Sequence, residues 1–161
     1  MADSSVWELI HQSSFARDLS AEQCKTISRL ATECALQDGE VLIDQGKTDD
    51  TLHILAKGRL AVERDAGAGE TVTLHILSSG DLAGELGFVD GKEHTATLRA
   101  VGETTVLSLK RSDLESLLAT QPEVVYGVMR GIIRTVHRIL GKMNLQWVEL
   151  SNYISKTHGR Y

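Results

Sequence analysis

Two periodicities divide this chain. From Cys34 to Lys110 apolar and polar residues alternate in short runs broken by Gly and Asp, whereas on either side the apolar positions recur three and four residues apart. A period of two sends successive side chains to opposite faces of a strand, and a period near 3.6 gathers them on one stripe of a helix. The pattern therefore predicts a β-rich centre, 34–110, held between helical segments, 1–33 and 111–161. The alternation is clearest at Val72, Leu74 and Ile76, expected on one face with Thr71, Thr73 and His75 on the other. Asp65-Ala-Gly-Ala-Gly69-Glu70 reads as a hairpin tip between the runs Arg59–Arg64 and Thr71–Leu77.

The helical flanks carry their own punctuation. Val6 to His11 is a short helix candidate with Trp7 and Ile10 on one face. Ser20-Ala-Glu-Gln23 matches a capping box, which opens a helix from about Ala21 to Ala31 that buries Ile27 and Leu30. Ser112-Asp-Leu-Glu115 matches a second one, ahead of Leu114, Leu117 and Leu118. Pro122 suits the first turn of a long helix, expected to run to about Ser155. Along it Met129, Ile132, Val136, Ile139 and Met143 form a seam of alternating threes and fours that fits an identical partner. Trp147, Leu150 and Ile154 continue the seam after a four-residue jump, a stutter that unwinds a coiled coil locally. Gly127 and Gly131 permit close packing of this helix on the rest of the domain, and Gly141 is a candidate bend.

Composition narrows the function classes. At 161 residues the chain is long enough for one domain with its own core, without metal or disulfide staples. A net charge of -5 argues against a nucleic-acid surface, which needs clustered Lys and Arg. Cys24 and Cys34 stand ten residues apart without a CxxC or a metal-spaced His, so both read as free thiols. No apolar run approaches the ~20 residues of a membrane span. Met1-Ala-Asp-Ser-Ser lacks the basic start and apolar run of a signal peptide, so a cytoplasmic location is expected.

The chemistry concentrates in Gly80-Asp-Leu-Ala-Gly84-Glu85-Leu86-Gly87-Phe-Val-Asp-Gly-Lys-Glu-His94-Thr95-Ala96-Thr97. A glycine beside a carboxylate can open a short helical turn whose N–H groups face an anion, while Glu85 offers an acceptor for a sugar hydroxyl. The segment resembles the phosphate-binding cassette of cyclic nucleotide-binding domains, where Gly-Glu-Leu is followed nine residues after the Glu by Arg-x-Ala-Thr or Arg-x-Ala-Ser. A second stretch, Gly46-Lys-Thr-Asp-Asp50-Thr-Leu52-His53-Ile54-Leu55-Ala-Lys-Gly58-Arg-Leu60-Ala-Val62, is similar to the same family's Gly-x-x-x-Asp-x-Leu-Tyr-Ile-Leu-x-x-Gly-x-Leu-x-Val.

The resemblance implies a mainly β fold with flanking helices (α+β). This is a double-stranded β-helix or jelly-roll barrel with N-terminal helices and a long C-terminal dimerisation helix, as in the effector domain of cAMP receptor protein-like regulators. It implies one domain over 1–161 and a ligand site at Gly84, Glu85, Leu86, Gly87, His94, Thr95 and Ala96, with cAMP or cGMP as the ligand. It also implies a homodimer through the helix around Met129 to Ile154, signalling to a downstream protein. Relatives that are transcription factors continue with a winged helix-turn-helix. The chain stops at Tyr161, so no DNA reading is expected of it.

Two departures qualify this. Glu85 plus nine falls on His94, so the arginine's planar cation is replaced by an imidazole that is mostly neutral at pH 7. Losing charge-assisted hydrogen bonds worth roughly 1.5 to 3 kcal/mol each predicts phosphate binding weaker by about tenfold to a thousandfold. It also predicts affinity that strengthens as pH falls through about 6.5. The Thr-Ser pair that relatives place on the long helix has no match around Gly141-Lys142-Met143-Asn144. Two other classes compete: a dimerising scaffold that has lost its effector, and a haem sensor using His75 or His53. Neither the His-x-His of cupin metal sites nor a Ser-His-Asp context, Walker loop or carboxylate pair appears, so no enzyme activity is expected.

Overall fold

A computed structural model describes residues 2–158, with side chains described from 6 to 157. Three helical pieces precede the strands: α1 (Ala2–Gln12), a 3-10 helix (Ser14–Asp18) and α2 (Ala21–Leu30). The first capping box forms as its sequence requires. Ser20 Oγ accepts from the Gln23 N–H at 3.2 Å and Gln23 Oε1 accepts from the Ser20 N–H at 2.9 Å.

Six antiparallel strands follow: β1 (Thr32–Leu36), β2 (Val41–Ile43), β3 (Thr51–Gly67), β4 (Glu70–Ser78), β5 (Leu82–Ala83) and β6 (Thr97–Lys110). The order is β1-β6-β3-β4, with β2 also on β6 and β5 also on β3. The two long strands turn a corner together, because their pairing slips between Leu55 and Arg59. Gly58 makes the corner available. Its φ is +88°, and a Cβ there would stand 2.5 Å from the Glu103 carbonyl oxygen. This is the mainly β, jelly-roll architecture expected.

The core has two parts. Leu36, Ile43, Leu55, Leu60, Val62, Ala83, Leu98, Ala100 and Val106 fill the interior of the roll. A larger cluster joins the roll to the helices through Ile10, Phe15, Leu19, Ile27, Leu52, Ile54, Leu82, Phe88, Leu107, Leu109, Leu114, Val128 and Ile132. The short helix α3 (Glu85–Asp90) links both, since Ala83 just before it enters the first cluster and its own Phe88 the second. Burial of Phe88 alone is worth roughly 1.5–3 kcal/mol, which anchors α3 from one side.

Three expectations are corrected. Ser112 does not cap: β6 runs straight into α4 (Arg111–Glu115), the N-cap position is Lys110, and no side-chain cap bond forms. The alternation along β4 is broken, because pairing passes from Val62↔His75 to Glu63↔Thr73 and Leu74 enters as an extra residue. Ile76 consequently shares a row with Ala61 and Arg99, and Val72 with Arg64. The seam of α5 (Pro122–His158) is split in use. Ile132 is buried, and Met129 and Val136 pack against the helical cluster, so its first half is spent inside the same chain.

Gly127 and Gly131 explain that closeness. A Cβ at Gly127 would stand 2.5 Å from Leu19 Cδ2 and one at Gly131 2.5 Å from the Phe15 carbonyl oxygen, so α5 lies directly on the 3-10 helix. Arg130 and Arg134 both pair with Asp18 there. Further along, Arg138 Nη2 lies 3.5 Å from Asp81 Oδ1, in the turn that leads to α3.

Candidate functional site

The cassette forms as a left-handed turn followed by one short helix. Gly84 sits at φ +74° as the N-cap of α3, and a Cβ there would meet Ile43 Cδ1 at 3.0 Å and the Thr51 carbonyl at 3.1 Å. Only glycine takes this backbone cheaply in so tight a space. The Phe88 N–H returns to the Gly84 carbonyl at 3.0 Å, which leaves the amides of Glu85, Leu86 and Gly87 in the first turn without an intrahelical acceptor.

Glu85 lies partly buried at the head of α3. Burial pushes its carboxyl above the ordinary range, while its own backbone N–H and nearby His94 pull it down. It therefore holds a proton more readily than a surface glutamate, and its carboxylate gains from a hydroxyl that donates to it. Leu86 and Thr95 are exposed and Ala96 is half-buried against the roll interior.

His94 is the residue that departs most from a loop position. Its side chain is only 7% exposed and its Nε2 lies 3.2 Å from Asp49 Oδ1, within ion-pair distance though not aligned as a hydrogen bond. The ring rests on Gly87, where a Cβ would come within 2.7 Å of His94 Cε1. Its main chain is fixed as well: the His94 N–H donates to the Lys47 carbonyl and its carbonyl accepts from the Gly46 N–H, both at 2.8 Å. Asp49 is held by the Thr51 N–H, which donates to its Oδ1 at 3.1 Å.

Behind this pair stands His53 on β3. Register places it between Ser108 and Ala83, and its Nδ1 meets Ser108 Oγ at 2.8 Å. Its Nε2 is buried without a partner. Burial, followed in the other direction by Asp49, sets its pKa at about 4, so the ring is neutral at physiological pH. Of the histidines weighed for haem, His53 is thus enclosed among strands and His75 is exposed on β4. Among the described residues no three His, Cys, Asp or Glu side chains gather to hold a metal ion.

The structure brings Gly84, Glu85, Gly87 and His94 together and adds Asp49 and His53. Asp49 was missed because it falls on an unspecified position of the segment that begins at Gly46, one residue before the motif's Asp50. His53 was legible only as a haem candidate. A groove of about 400 Å³ is lined by Gln45, Gly46, Glu63, Asp65, Gly69, Thr71, Thr97 and Arg99. Arg99 is already engaged there by Glu63 at 3.2 Å and the Gly39 carbonyl at 2.9 Å, and two acids face an incoming anion.

No described helix is long and apolar enough to cross a membrane. The chain is 28% identical over 100 residues to a CRP-like cAMP-activated global transcriptional regulator of Mycobacterium tuberculosis, covering 62% of this chain and 45% of that one. It thus spans about half the length of the curated relatives it matches. Among solved structures, a cyclic nucleotide-binding domain from Methylobacillus flagellatus superposes with a TM-score of 0.77 at 20% identity, covering 88% of this chain and 79% of that one. The catabolite activator protein of Thermus thermophilus gives 0.74 at 26% identity, covering 86% and 63%. The model of the cyclic nucleotide-binding domain matches residues 33–121, more than half of the chain and nearly all of the roll with its cassette; the chain belongs to the cyclic nucleotide-binding domain family.

Proposed function

We propose that this chain is a regulatory, non-enzymatic ligand-sensing domain that takes a cyclic nucleotide, cAMP or cGMP, at the α3 cassette and reports occupancy through α5. The observation that carries this reading is the left-handed Gly84 turn, which sets a partly buried Glu85 and the first-turn amides of Leu86 and Gly87, with no intrahelical acceptor, at the head of α3. Glu85 holds the ribose hydroxyl, the backbone from Gly84 to Gly87 meets the cyclic phosphate, and His94 with Thr95 and Ala96 closes the far side. The relative from M. tuberculosis, whose name describes it as cAMP-activated, supports the ligand class.

Transmission follows from connectivity. Asp81 stands three residues before Gly84, and its side chain faces Arg138 of α5, so a shift of the cassette alters a contact on the long helix. Filling the site biases a pre-existing equilibrium in how α5 packs. The test is a thermal shift with millimolar cAMP and cGMP. Ligand at 100 times its dissociation constant adds about 2.7 kcal/mol to stability. Glu85→Ala abolishes that shift; an unchanged response in this variant removes Glu85 from the site.

A second reading, a dimerising scaffold without effector, is favoured by one observation. His94 stands where relatives place arginine and is already occupied by an acid of the same chain. Absence of any thermal shift in wild type and in His94→Arg selects it.

A further inference from the structure

The seat beside Gly87 is filled by the protein itself. His94 lies flat against a residue that has no side chain, 7% exposed, with Asp49 3.2 Å from its Nε2. Asp49 is oriented by the Thr51 amide, and the loop that carries it is tied to the His94 main chain at both Gly46 and Lys47. Asp49 and the main chain of His94 are thus both held by backbone bonds, which sets the carboxylate beside the ring.

We infer that Asp49 is a positioning residue that pins the His94 ring onto Gly87, so that the cassette is closed by an internal acid standing in for the ligand's phosphate. The inference rests on the cassette reading above. A carboxylate and a phosphate oxygen answer the same demand of an imidazole: an anionic oxygen within ion-pair distance. While Asp49 meets that demand, an arriving phosphate must compete with a partner held at far higher effective concentration.

The charged or titratable groups around His94 are Asp49 from the β2–β3 loop, Glu85 from α3 and His53 from β3. Of these, Asp49 is the one within ion-pair distance of the ring, so removing its charge is what opens the seat to a phosphate oxygen.

The experiment uses the full chain, wild type, Asp49→Asn and Asp49→Ala. Asparagine keeps an oxygen for the Thr51 amide and removes only the charge; alanine removes both. The first readout needs no ligand: carbethoxylation of His94, followed by peptide mass spectrometry with exposed His75 as internal reference. Wild type is expected to react slowly at His94, and Asp49→Ala about tenfold faster, with Asp49→Asn between them. Equal rates in all three overturn the inference. The second readout is calorimetry with cAMP. Asp49→Asn is expected to bind about tenfold tighter than wild type, because the competing carboxylate is gone. Equal, measurable affinities in wild type and Asp49→Asn overturn it also. Release of His94 in the variants with no cAMP binding in any of them, His94→Arg included, upholds the pin and refutes the cyclic nucleotide reading instead.

Discussion

His53 carries a sharp single-residue consequence for stability. Its pKa lies near 4 in the folded chain, against the 6.5 of a free imidazole, because it is buried among strands. Between those values the unfolded chain binds a proton that the folded chain refuses. The contribution is therefore fully present above pH 6.5 and is lost as pH falls toward 4. The gap corresponds to roughly 3 kcal/mol at its lower end. Urea midpoints of wild type are expected to drop across this window, and those of His53→Gln to fall less steeply, since the amide has no charge to gain. Parallel pH profiles would show that another group governs acid unfolding. The residue scale is also where the sequence was least informative. Gly84 and Glu85 could be picked out because one needs a left-handed backbone and the other a charge. The pairing of Asp49 with His94 depends on a loop folding back across more than forty residues, which no local pattern records.

Element by element, what was legible is what short-range physics decides. The Ser20 box formed because α2 begins after a break in the chain, leaving its first amides in need of acceptors. The Ser112 box did not, because the strand before it hands its last residue directly to α4 and leaves no free start. The strands were legible from alternation until Leu74, whose insertion answers a pairing partner that lies elsewhere in the sequence. Contact between α5 and the 3-10 helix was anticipated from Gly127 and Gly131 as closeness without an address, and the address is Leu19 and Phe15. Gly131→Ala tests this contact. Its new Cβ would fall 2.5 Å from a backbone oxygen, which cannot rotate away, so a loss of about 1–3 kcal/mol is expected in denaturant titration. Gly141→Ala, with nothing within 4 Å, is expected to leave stability unchanged or to raise it by up to about 1 kcal/mol. Equal effects at the two positions would mean that α5 does not rest on the 3-10 helix in solution.

For the molecule as a whole, the split seam of α5 bears on the homodimer proposed for it. Ile132 is 2% exposed and serves the chain's own core, whereas Leu140, Met143, Leu145, Trp147 and Leu150 stand about half or more in solvent. A run of large apolar side chains exposed over so many turns is costly for a lone domain and is the usual mark of a contact surface. Trp147, Met143 and Leu150 also line one shallow hollow, the sort of hole that receives a knob from a facing helix. The homodimer proposed along Met129 to Ile154 would therefore use the later part of that span, and two substitutions separate the roles. Light scattering is expected to give twice the 17.6 kDa chain mass. Met143→Glu should return the mass to one chain while circular dichroism and thermal midpoint of the roll stay close to wild type, because nothing in the core depends on it. Ile132→Glu should instead lower the thermal midpoint steeply, since it places a charge in a sealed apolar cluster. A monomeric wild type at high micromolar concentration, or a Met143→Glu protein that still pairs, would move the interface off this helix and with it the route by which the cassette's state leaves the domain.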